Sequence, residues 1–178
     1  KGIVTEHIEE KNITDDGKYK ASFKFTSNAG YSSKEYLKEF VVDTTAPKIE
    51  VTYNTDNTSP KEYYKEGDLL KVQISITDKN LDTTEGTDNT ITINKLSVNI
   101  ADNDDITSEL KWTKSGDTYT AEYDFDTDGV YQISVKCTDK AGNEGAKNNE
   151  KEFTVDRTAP EIEVTYNTDN TSPKEYYK

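Results

Sequence analysis

The sequence predicts an all-β fold made of tandem sandwich domains, and three observations support this. Short runs of β-branched and aromatic residues alternate with polar residues, as in residues 70–76, which is the period of a half-buried strand. No segment of useful length carries a helical period. A long segment also recurs at the spacing of a whole domain. With 178 residues that are 31% hydrophobic and 32% charged, the chain has room for one or two domains with thin cores.

The repeat is the clearest feature of the sequence. The segment Pro47–Lys65 returns 113 residues later as Pro160–Lys178, with a single substitution. That spacing exceeds the period of solenoid repeats and matches a domain with its own core. Weaker echoes occur at nearly the same offset: Asp16–Tyr19 matches Asp128–Tyr131, Ala29-Gly30 matches Ala141-Gly142, and Phe40–Asp43 matches Phe153–Asp156.

These offsets predict three pieces. Residues 1–46 are the C-terminal part of a preceding repeat, residues 47–159 are a complete repeat, and residues 160–178 are the first strand of a following repeat. The chain begins with Lys1 and carries no basic and apolar signal segment. We therefore expect it to be a window of a longer protein whose targeting and anchoring segments lie elsewhere.

Alternation places about seven strands in the complete repeat, arranged as a two-sheet antiparallel sandwich. A phase break at Asn94-Lys95 predicts a bulge or a turn inside the third strand, and residues 114–117 predict a hairpin turn. The strands are expected around Ile49–Tyr53, Leu70–Ile76, Ile91–Ile100, Leu110–Trp112, Tyr119–Phe125, Tyr131–Cys137 and Phe153–Val155. The predicted core is Val72, Ile74, Ile76, Leu110, Trp112, Tyr123, Phe125, Tyr131, Ile133, Val135, Phe153 and Val155.

The segment Asp126–Tyr131, followed by alternating Ile133 and Val135, has the pattern of the tyrosine corner that opens the sixth strand of immunoglobulin-type sandwiches. The position two past Tyr131, where antibody domains carry a cysteine, is Ile133, so apolar packing replaces the inter-sheet disulfide. The single cysteine, Cys137, is in phase with the buried residues of its strand and is expected to be an unreactive core thiol.

Four further motifs mark the chain: Asp43–Pro47 before the first strand, Trp112 ahead of Gly116–Ala121, Asp128–Tyr131, and Thr138–Asn143. Together they resemble the bacterial Ig-like repeats of large surface proteins from Gram-positive, often gut, bacteria. The resemblance covers the complete repeat and both partial ones. It implies an extracellular, stalk-like array that holds a terminal module away from the cell wall, in an adhesin or other structural protein.

Physical reasoning supports the same role, because the linkers Asp43–Pro47 and Asp156–Pro160 are short and each ends in proline. Proline also biases Ala46 and Ala159 toward extended conformations. One repeat should therefore run almost straight into the next. The expected partners are neighbouring identical repeats, in the same chain or in adjacent chains.

Composition and motifs exclude other classes of function. A net charge of −13 repels a phosphate backbone, so nucleic acid is not an expected partner. No run approaches the ~20 apolar residues that span a bilayer. One histidine, one buried cysteine and no glycine-rich phosphate loop leave no catalytic constellation, so the chain is not expected to be an enzyme.

Calcium at the repeat junctions is the one cofactor that the sequence suggests. In this topology, the loop after the second strand and the loop before the last strand face the preceding linker, and oxygen ligands gather there. A second acidic run, Asp124–Gly129, begins like an EF-hand loop, but the twelfth position is Val135 instead of a bidentate acid. The expected ligands are therefore Asp43, Asp78, Asn80, Asp82, Asp139 and Asn143.

A sugar-stacking platform is the main alternative site, and it would make the chain a carbohydrate-binding accessory module of a secreted enzyme or adhesin. Its candidate rings are Tyr63, Tyr64 and Trp112. The competing interpretation is packing alone, because an alternating strand buries every second residue. One tyrosine of each adjacent pair then faces outward even when no glycan or host surface is bound.

Overall fold

A computed structural model describes residues 11–54, 60–68, 70–88, 90–101, 104–148 and 151–164. Across these ranges the chain forms strands and turns and no helix, which confirms the all-β prediction. No helix in the described ranges is long and apolar enough to cross a bilayer. The strands in chain order are β1 (Gly17–Phe23), β2 (Tyr36–Val42), β3 (Lys48–Tyr53), β4 (Tyr63–Tyr64), β5 (Lys71–Thr77), β6 (Thr83–Glu85), β7 (Ile91–Ile93), β8 (Ser97–Ala101), β9 (Asp104–Asp105), β10 (Thr113–Ser115), β11 (Thr118–Asp124), β12 (Gly129–Tyr131), β13 (Ser134–Thr138), β14 (Glu144–Asn148) and β15 (Phe153–Val155).

Strands β3 to β15 form a unit that we call the sandwich. Its first layer is the antiparallel sheet β10-β11-β5-β3. Strand β5 shows why the sequence adopts this form: Val72, Ile74 and Ile76 are buried, whereas Gln73 and Ser75, between them, are only half-buried. A period of two sends alternate side chains to opposite faces, so the apolar set points into the core.

The second layer combines two sheets, β14-β13-β8-β9 and β12-β15-β4. The predicted strand from Tyr131 to Cys137 contributes to both, because it is interrupted at Gln132, whose N–H donates to the Ile100 carbonyl oxygen at 2.8 Å. The pairing of β4 with β15 is parallel. The sequence predicted a wholly antiparallel sandwich, and this parallel pair departs from that prediction.

The core largely matches the predicted set. Ten of the twelve predicted core residues are buried, and the exceptions are Tyr123 and Tyr131, which are half-buried. Tyr131 is only half-buried because its hydroxyl group donates a hydrogen bond to the Thr127 carbonyl oxygen near the surface, at 2.9 Å. A buried phenol must keep such a hydrogen bond, so the ring contributes apolar area while its tip stays at the edge of the core.

The phase break in the predicted third strand is a turn between β7 and β8. Lys95 adopts a left-handed conformation there, with φ of 53°. The turn lets β7 pair with β6 as a separate hairpin while β8 joins β13. The sequence pattern did not predict β4, β6, β9 or β14, because none of these short strands has an alternating apolar face. It also placed one strand at Leu110–Trp112, whereas the strand there is β10, which starts at Thr113 and is wholly exposed.

Strands β1 and β2 form a separate antiparallel pair, which we call the hairpin. Tyr19 repeats the tyrosine corner of the sandwich, since its hydroxyl donates to the Asp15 carbonyl oxygen at 2.7 Å, as that of Tyr131 does to Thr127. The corner is thus present in both places where the sequence carries the Asp-Gly-x-Tyr motif. The hairpin leaves Phe23, Phe25 and Tyr36 largely exposed.

Candidate functional site at the linker

The linker Asp43–Pro47 is bound by a single carboxylate of the hairpin, Asp16. One of its oxygens accepts hydrogen bonds from the N–H and the hydroxyl of Thr44, both at 2.8 Å, and the other accepts from the Thr45 hydroxyl at 2.6 Å. These donors, with Thr45 contributing most, lower the pKa of Asp16. The carboxylate therefore stays ionised at neutral pH and orders the first half of the linker.

The second linker is bound in the same way. Asp128 accepts from the N–H of Arg157 at 2.9 Å and from the hydroxyl of Thr158 at 2.8 Å, and its pKa is lowered mainly by the Arg157 N–H. The side chain of the first residue of each linker, Asp43 or Asp156, also accepts a hydrogen bond from the backbone N–H of the residue two positions later, at 3.1 Å. We call this recurring arrangement the aspartate clamp.

The clamp was missed by sequence reasoning, although its signal was visible. Asp16 and Asp128 occupy the same position in the two matching segments Asp16–Tyr19 and Asp128–Tyr131, each at the start of a tyrosine corner. In the structure each carboxylate lies at the start of a tyrosine corner and accepts a hydrogen bond from a threonine hydroxyl of the linker. An aspartate before Gly-x-Tyr, paired with a downstream Asp-x-Thr-Ala-Pro, is the sequence pattern that identifies the clamp.

On its other side the first linker is attached to the sandwich through Asp43. Its carboxylate accepts from the side-chain amide of Asn80 at 2.6 Å, and its carbonyl oxygen accepts from that of Asn143 at 3.0 Å. Asn80 follows β5 and Asn143 precedes β14, so the two loops expected to face the linker do so. Asp43 therefore joins the hairpin side of the junction to the sandwich side.

Asp139 supports this arrangement from inside the sandwich, where it is 0% exposed. One carboxylate oxygen accepts from the N–H groups of Gly142 and Asn143, at 2.7 and 2.8 Å, and the other accepts from the Asn143 amide at 2.8 Å. These three donors satisfy the hydrogen-bonding needs of the buried carboxyl group and also orient Asn143 toward the linker.

The carboxylates of Asp43, Asp78 and Asp139 converge, with ligand oxygens within 4.8 Å of one another. Asp78 is 8% exposed, and burial together with the charges of Asp43 and Asp139 raises its pKa, against the opposing effect of the Asn80 N–H. None of the three forms an ion pair with lysine or arginine within the described residues. The cluster thus brings three hard oxygen donors into the range of one cation.

Five of the six predicted ligands therefore lie at the junction, and Asp82 does not join them. Its carboxylate accepts from the Asn94 amide at 3.0 Å and lies 3.8 Å from the Lys95 ammonium nitrogen, at the β6–β7 hairpin. The structure places Asp82 away from the other five because the chain turns away from the junction after Leu81, which bridges to Asp139.

The linker also packs tightly at its last residue. Pro47 is buried, and Gly145 of β14 lies directly against its backbone. A Cβ atom on Gly145 would overlap the Pro47 carbonyl oxygen. Glycine at this position allows the linker to enter the sandwich between β14 and the start of β3.

The proposed sugar platform is not assembled. Tyr63 is 65% exposed, but Tyr64 is 2% exposed and Trp112 is 7% exposed. Tyr64 packs edge-on against Phe153, with ring centroids 5.9 Å apart, and Trp112 belongs to the core cluster. Adjacent residues of a strand face opposite sides. The pair Tyr63-Tyr64 therefore follows the packing interpretation, and a platform of three exposed rings is corrected to one exposed tyrosine.

A comparison with protein families agrees with this fold. The model of a family described as bacterial Ig-like domain (group 3) matches residues 9–156. Two solved structures of BcpA, the major pilin subunit of Bacillus cereus, one of them a variant, are 13% and 12% identical to the chain, with TM-scores of 0.25 and 0.23. They cover 78% and 76% of this chain, which spans about half of theirs, 48% and 47%. The comparison with curated proteins found no match.

Proposed function

Because the chain belongs to the bacterial Ig-like domain family, we propose that it is a non-enzymatic spacer of an extracellular bacterial surface or filament-forming protein. In this proposal residues 47–159 are one complete repeat, residues 1–46 end the preceding repeat, and residues 160–178 begin the next. The array presents a distal module or builds a fibre, and its partners are further copies of the repeat.

The observation that carries the proposal is the aspartate clamp, which recurs at both linkers. A linker that moved freely would need no side chain devoted to its backbone, yet Asp16 and Asp128 each bind two consecutive linker residues. At the first junction Asn80 and Asn143 add contacts from the sandwich. A linker with its hydrogen bonds filled from both sides restricts bending, which is what a spacer requires.

Small-angle scattering of a chain of several complete repeats tests this proposal. We expect the maximum dimension to increase linearly with the number of repeats. Replacing the clamp residue, Asp128→Ala in each repeat, should broaden the distance distribution while each repeat remains folded. Ser134→Ala in each repeat, a strand residue outside the linker, serves as the control. A compact particle whose maximum dimension does not grow with repeat number would contradict the spacer.

Glycan binding separates the spacer from the carbohydrate-binding alternative. Since only Tyr63 exposes its ring, we expect glycan arrays and cell-wall polysaccharide pull-downs with the chain to remain blank. Saturable binding that is lost in Tyr63→Ala without unfolding would favour the accessory module instead.

We further propose that calcium binds at the junction and is held by Asp43, Asp78 and Asp139. The donor set fits, because calcium prefers clustered carboxylate and carbonyl oxygens. The amides of Asn80 and Asn143 now donate to these acids. Rotation of either amide would present its carbonyl oxygen as a further ligand. The ion would neutralise the like charges that raise the pKa of Asp78 and would tie the linker to the sandwich.

Calcium should raise the free energy of unfolding by about 2.7 kcal/mol at a hundredfold excess over its Kd. Asp78→Asn should abolish the calcium heat in titration calorimetry, whereas Asp82→Asn, outside the cluster, should leave it unchanged. In chelator Asp78 contributes a pH dependence of stability whose sign is opposite to that of Asp16 and Asp128, because their pKa values are lowered. The raised pKa of Asp78 means that its contribution to stability is present at acidic pH and is lost as the pH rises through its folded pKa, above the ordinary 3.8. If the unmodified chain gives no heat of calcium binding, the calcium proposal is contradicted and the spacer proposal is unaffected.

A further inference from the structure

Both clamp aspartates are followed by glycine. The sequence contains two Asp-Gly pairs, Asp16-Gly17 and Asp128-Gly129, and each supplies the carboxylate that binds a linker. At the second linker one oxygen of Asp128 accepts from the Arg157 N–H at 2.9 Å, and the other accepts from the Thr158 hydroxyl at 2.8 Å. Both Asp-Gly pairs of the chain therefore lie at a clamp.

An aspartate that precedes glycine can isomerise without an enzyme. The glycine nitrogen bonds to the side-chain carboxyl carbon and a water molecule leaves, which closes a succinimide ring. Glycine favours this step because it has no Cβ atom to hinder the approach of its nitrogen. Water then opens the ring, and opening at the former main-chain carbonyl gives isoaspartate. The main chain of isoaspartate passes through the former side-chain methylene group, while the atoms of the residue are conserved.

The tyrosine corner requires the glycine of the second pair. The ring of Tyr131 lies over Gly129, so a Cβ atom on Gly129 would meet a ring carbon at 2.9 Å and the hydroxyl oxygen at 3.0 Å. The hydroxyl is held by the Thr127 carbonyl oxygen, and the ring packs against Phe125 and Phe153. A larger residue at position 129, which would slow succinimide closure, therefore does not fit beneath the tyrosine ring.

The bound linker opposes isomerisation in two ways. Succinimide closure expels one carboxyl oxygen as water, so at least one of the hydrogen bonds from Arg157 and Thr158 must break first. The leaving oxygen must also be protonated, whereas the Arg157 N–H, followed by the Thr158 hydroxyl, lowers the pKa of Asp128. An ionised carboxylate with both oxygens bound is a poor electrophile. The Asp-Gly pair is thus protected while the clamp is closed.

We propose that Asp128-Gly129 and Asp16-Gly17 are sites of spontaneous isoaspartate formation, and that the clamp protects each site as long as its linker stays bound. A linker that opens exposes its aspartate to the reaction. The carboxylate of isoaspartate is attached directly to the branched carbon, one methylene group shorter than before, and no longer reaches both Arg157 and Thr158. Transient opening is thereby converted into a lasting loss of the clamp. The proposal concerns the chemistry of the clamp and does not depend on the spacer role.

Opening of the linker sets the expected rate of isomerisation. The reaction proceeds from the open state, so its rate in the folded chain is the open fraction multiplied by the rate of the unprotected pair. Thr158→Val removes a hydroxyl that donates to a carboxylate and keeps the branched shape of the side chain. We expect this change to accelerate isoaspartate formation at Asp128 about tenfold. The rate at Asp16 should not change, because its donors belong to the other linker.

Peptide mapping of the full chain, incubated at neutral pH in water enriched in the heavy oxygen isotope, tests this expectation. Each passage through the succinimide leaves one heavy oxygen in the peptide, and fragmentation mass spectrometry separates isoaspartate from aspartate. The reciprocal variant, Thr45→Val, should accelerate the reaction at Asp16 and not at Asp128. Two controls should react at the rate of the unmodified chain: Thr154→Val, in β15 but outside the clamp, and Thr158→Ser, which keeps the hydroxyl.

The chain unfolded in urea provides the unprotected reference, in which both pairs should form isoaspartate at least about tenfold faster than in the folded chain. The fluorescence of Trp112, which lies in the core, verifies that each variant stays folded. Equal rates in the folded and the unfolded chain, or in Thr158→Val and Thr154→Val, would overturn the protection. Absence of isoaspartate in urea would overturn the sites themselves. None of these results bears on the spacer, which is tested by the dimensions of multi-repeat chains.

Discussion

Replacing Phe153 by alanine should lower the free energy of unfolding of the sandwich by about 3–5 kcal/mol. Phe153 is at the centre of the aromatic cluster, with the rings of Tyr53, Tyr64, Phe125 and Tyr131 all within 5.9 Å of its own. Removing it leaves a cavity that these rigid rings cannot fill. The single tryptophan, Trp112, is in the same core, so its fluorescence during denaturant unfolding reports on the sandwich.

The repeat supplies a matched control for this substitution. Phe40 occupies the same register position in the hairpin but is 37% exposed, and its ring contact is with Tyr19 at 5.7 Å. Phe40→Ala should change the tryptophan-monitored unfolding by less than about 0.5 kcal/mol. Equal losses from the two substitutions would mean that the hairpin and the sandwich unfold as one unit, contrary to the proposed boundary at residue 47.

Replacing Gly145 by alanine is expected to cost about 1–3 kcal/mol, although it adds only one methyl group. The new Cβ would meet the Pro47 carbonyl oxygen, so either the linker or β14 must move. Displacing Pro47 shifts the start of β3 and the Asp43 contacts that precede it. Amide hydrogen exchange should therefore increase in β3 and β14 and remain unchanged in β11.

The neighbouring residue of β14 is the control for that substitution. Ala146 is exposed, so Ala146→Ser should leave stability within about 0.5 kcal/mol. A stable Gly145→Ala variant with unchanged exchange in β3 would show that the close approach is not needed for the linker to enter the sandwich.

Both tests bear on how a repeat is delimited. The core of the sandwich is closed by its own first strand, and the linker before it is bound by side chains of the hairpin and of the sandwich. Asp16 binds from the hairpin side, and Asn80 and Asn143 bind from the sandwich side. In the proposed array each repeat would depend on its own core for stability and on its neighbour for orientation, as a spacer module requires.

The sequence by itself determined the fold class, the tyrosine corner and most of the core. Strand β5 shows why: the alternation of Val72, Ile74 and Ile76 with polar residues has one solution when one face must be buried. The Asp-Gly-x-Tyr motif likewise predicted the tyrosine corner, because the tyrosine hydroxyl donates to a carbonyl oxygen only four residues earlier in the chain. The duplication of residues 47–65 as 160–178 is likewise visible in the amino-acid sequence alone.

Sequence also selected the acids of the junction from loop positions, but only tertiary structure decided which of them meet. Asp78 and Asp82 are four residues apart, and the turn after Leu81 carries one into the cluster and the other to Lys95. Strand alternation predicted that one of Tyr63 and Tyr64 would be buried, and packing on Phe153 decided that it is Tyr64. The clamp of Asp16 on Thr44 and Thr45 spans 28 and 29 residues, and the contact of Asn143 with Asp43 spans 100. Contacts at such separations depend on where two chain segments are placed in space, and local periodicity contains no information about that placement.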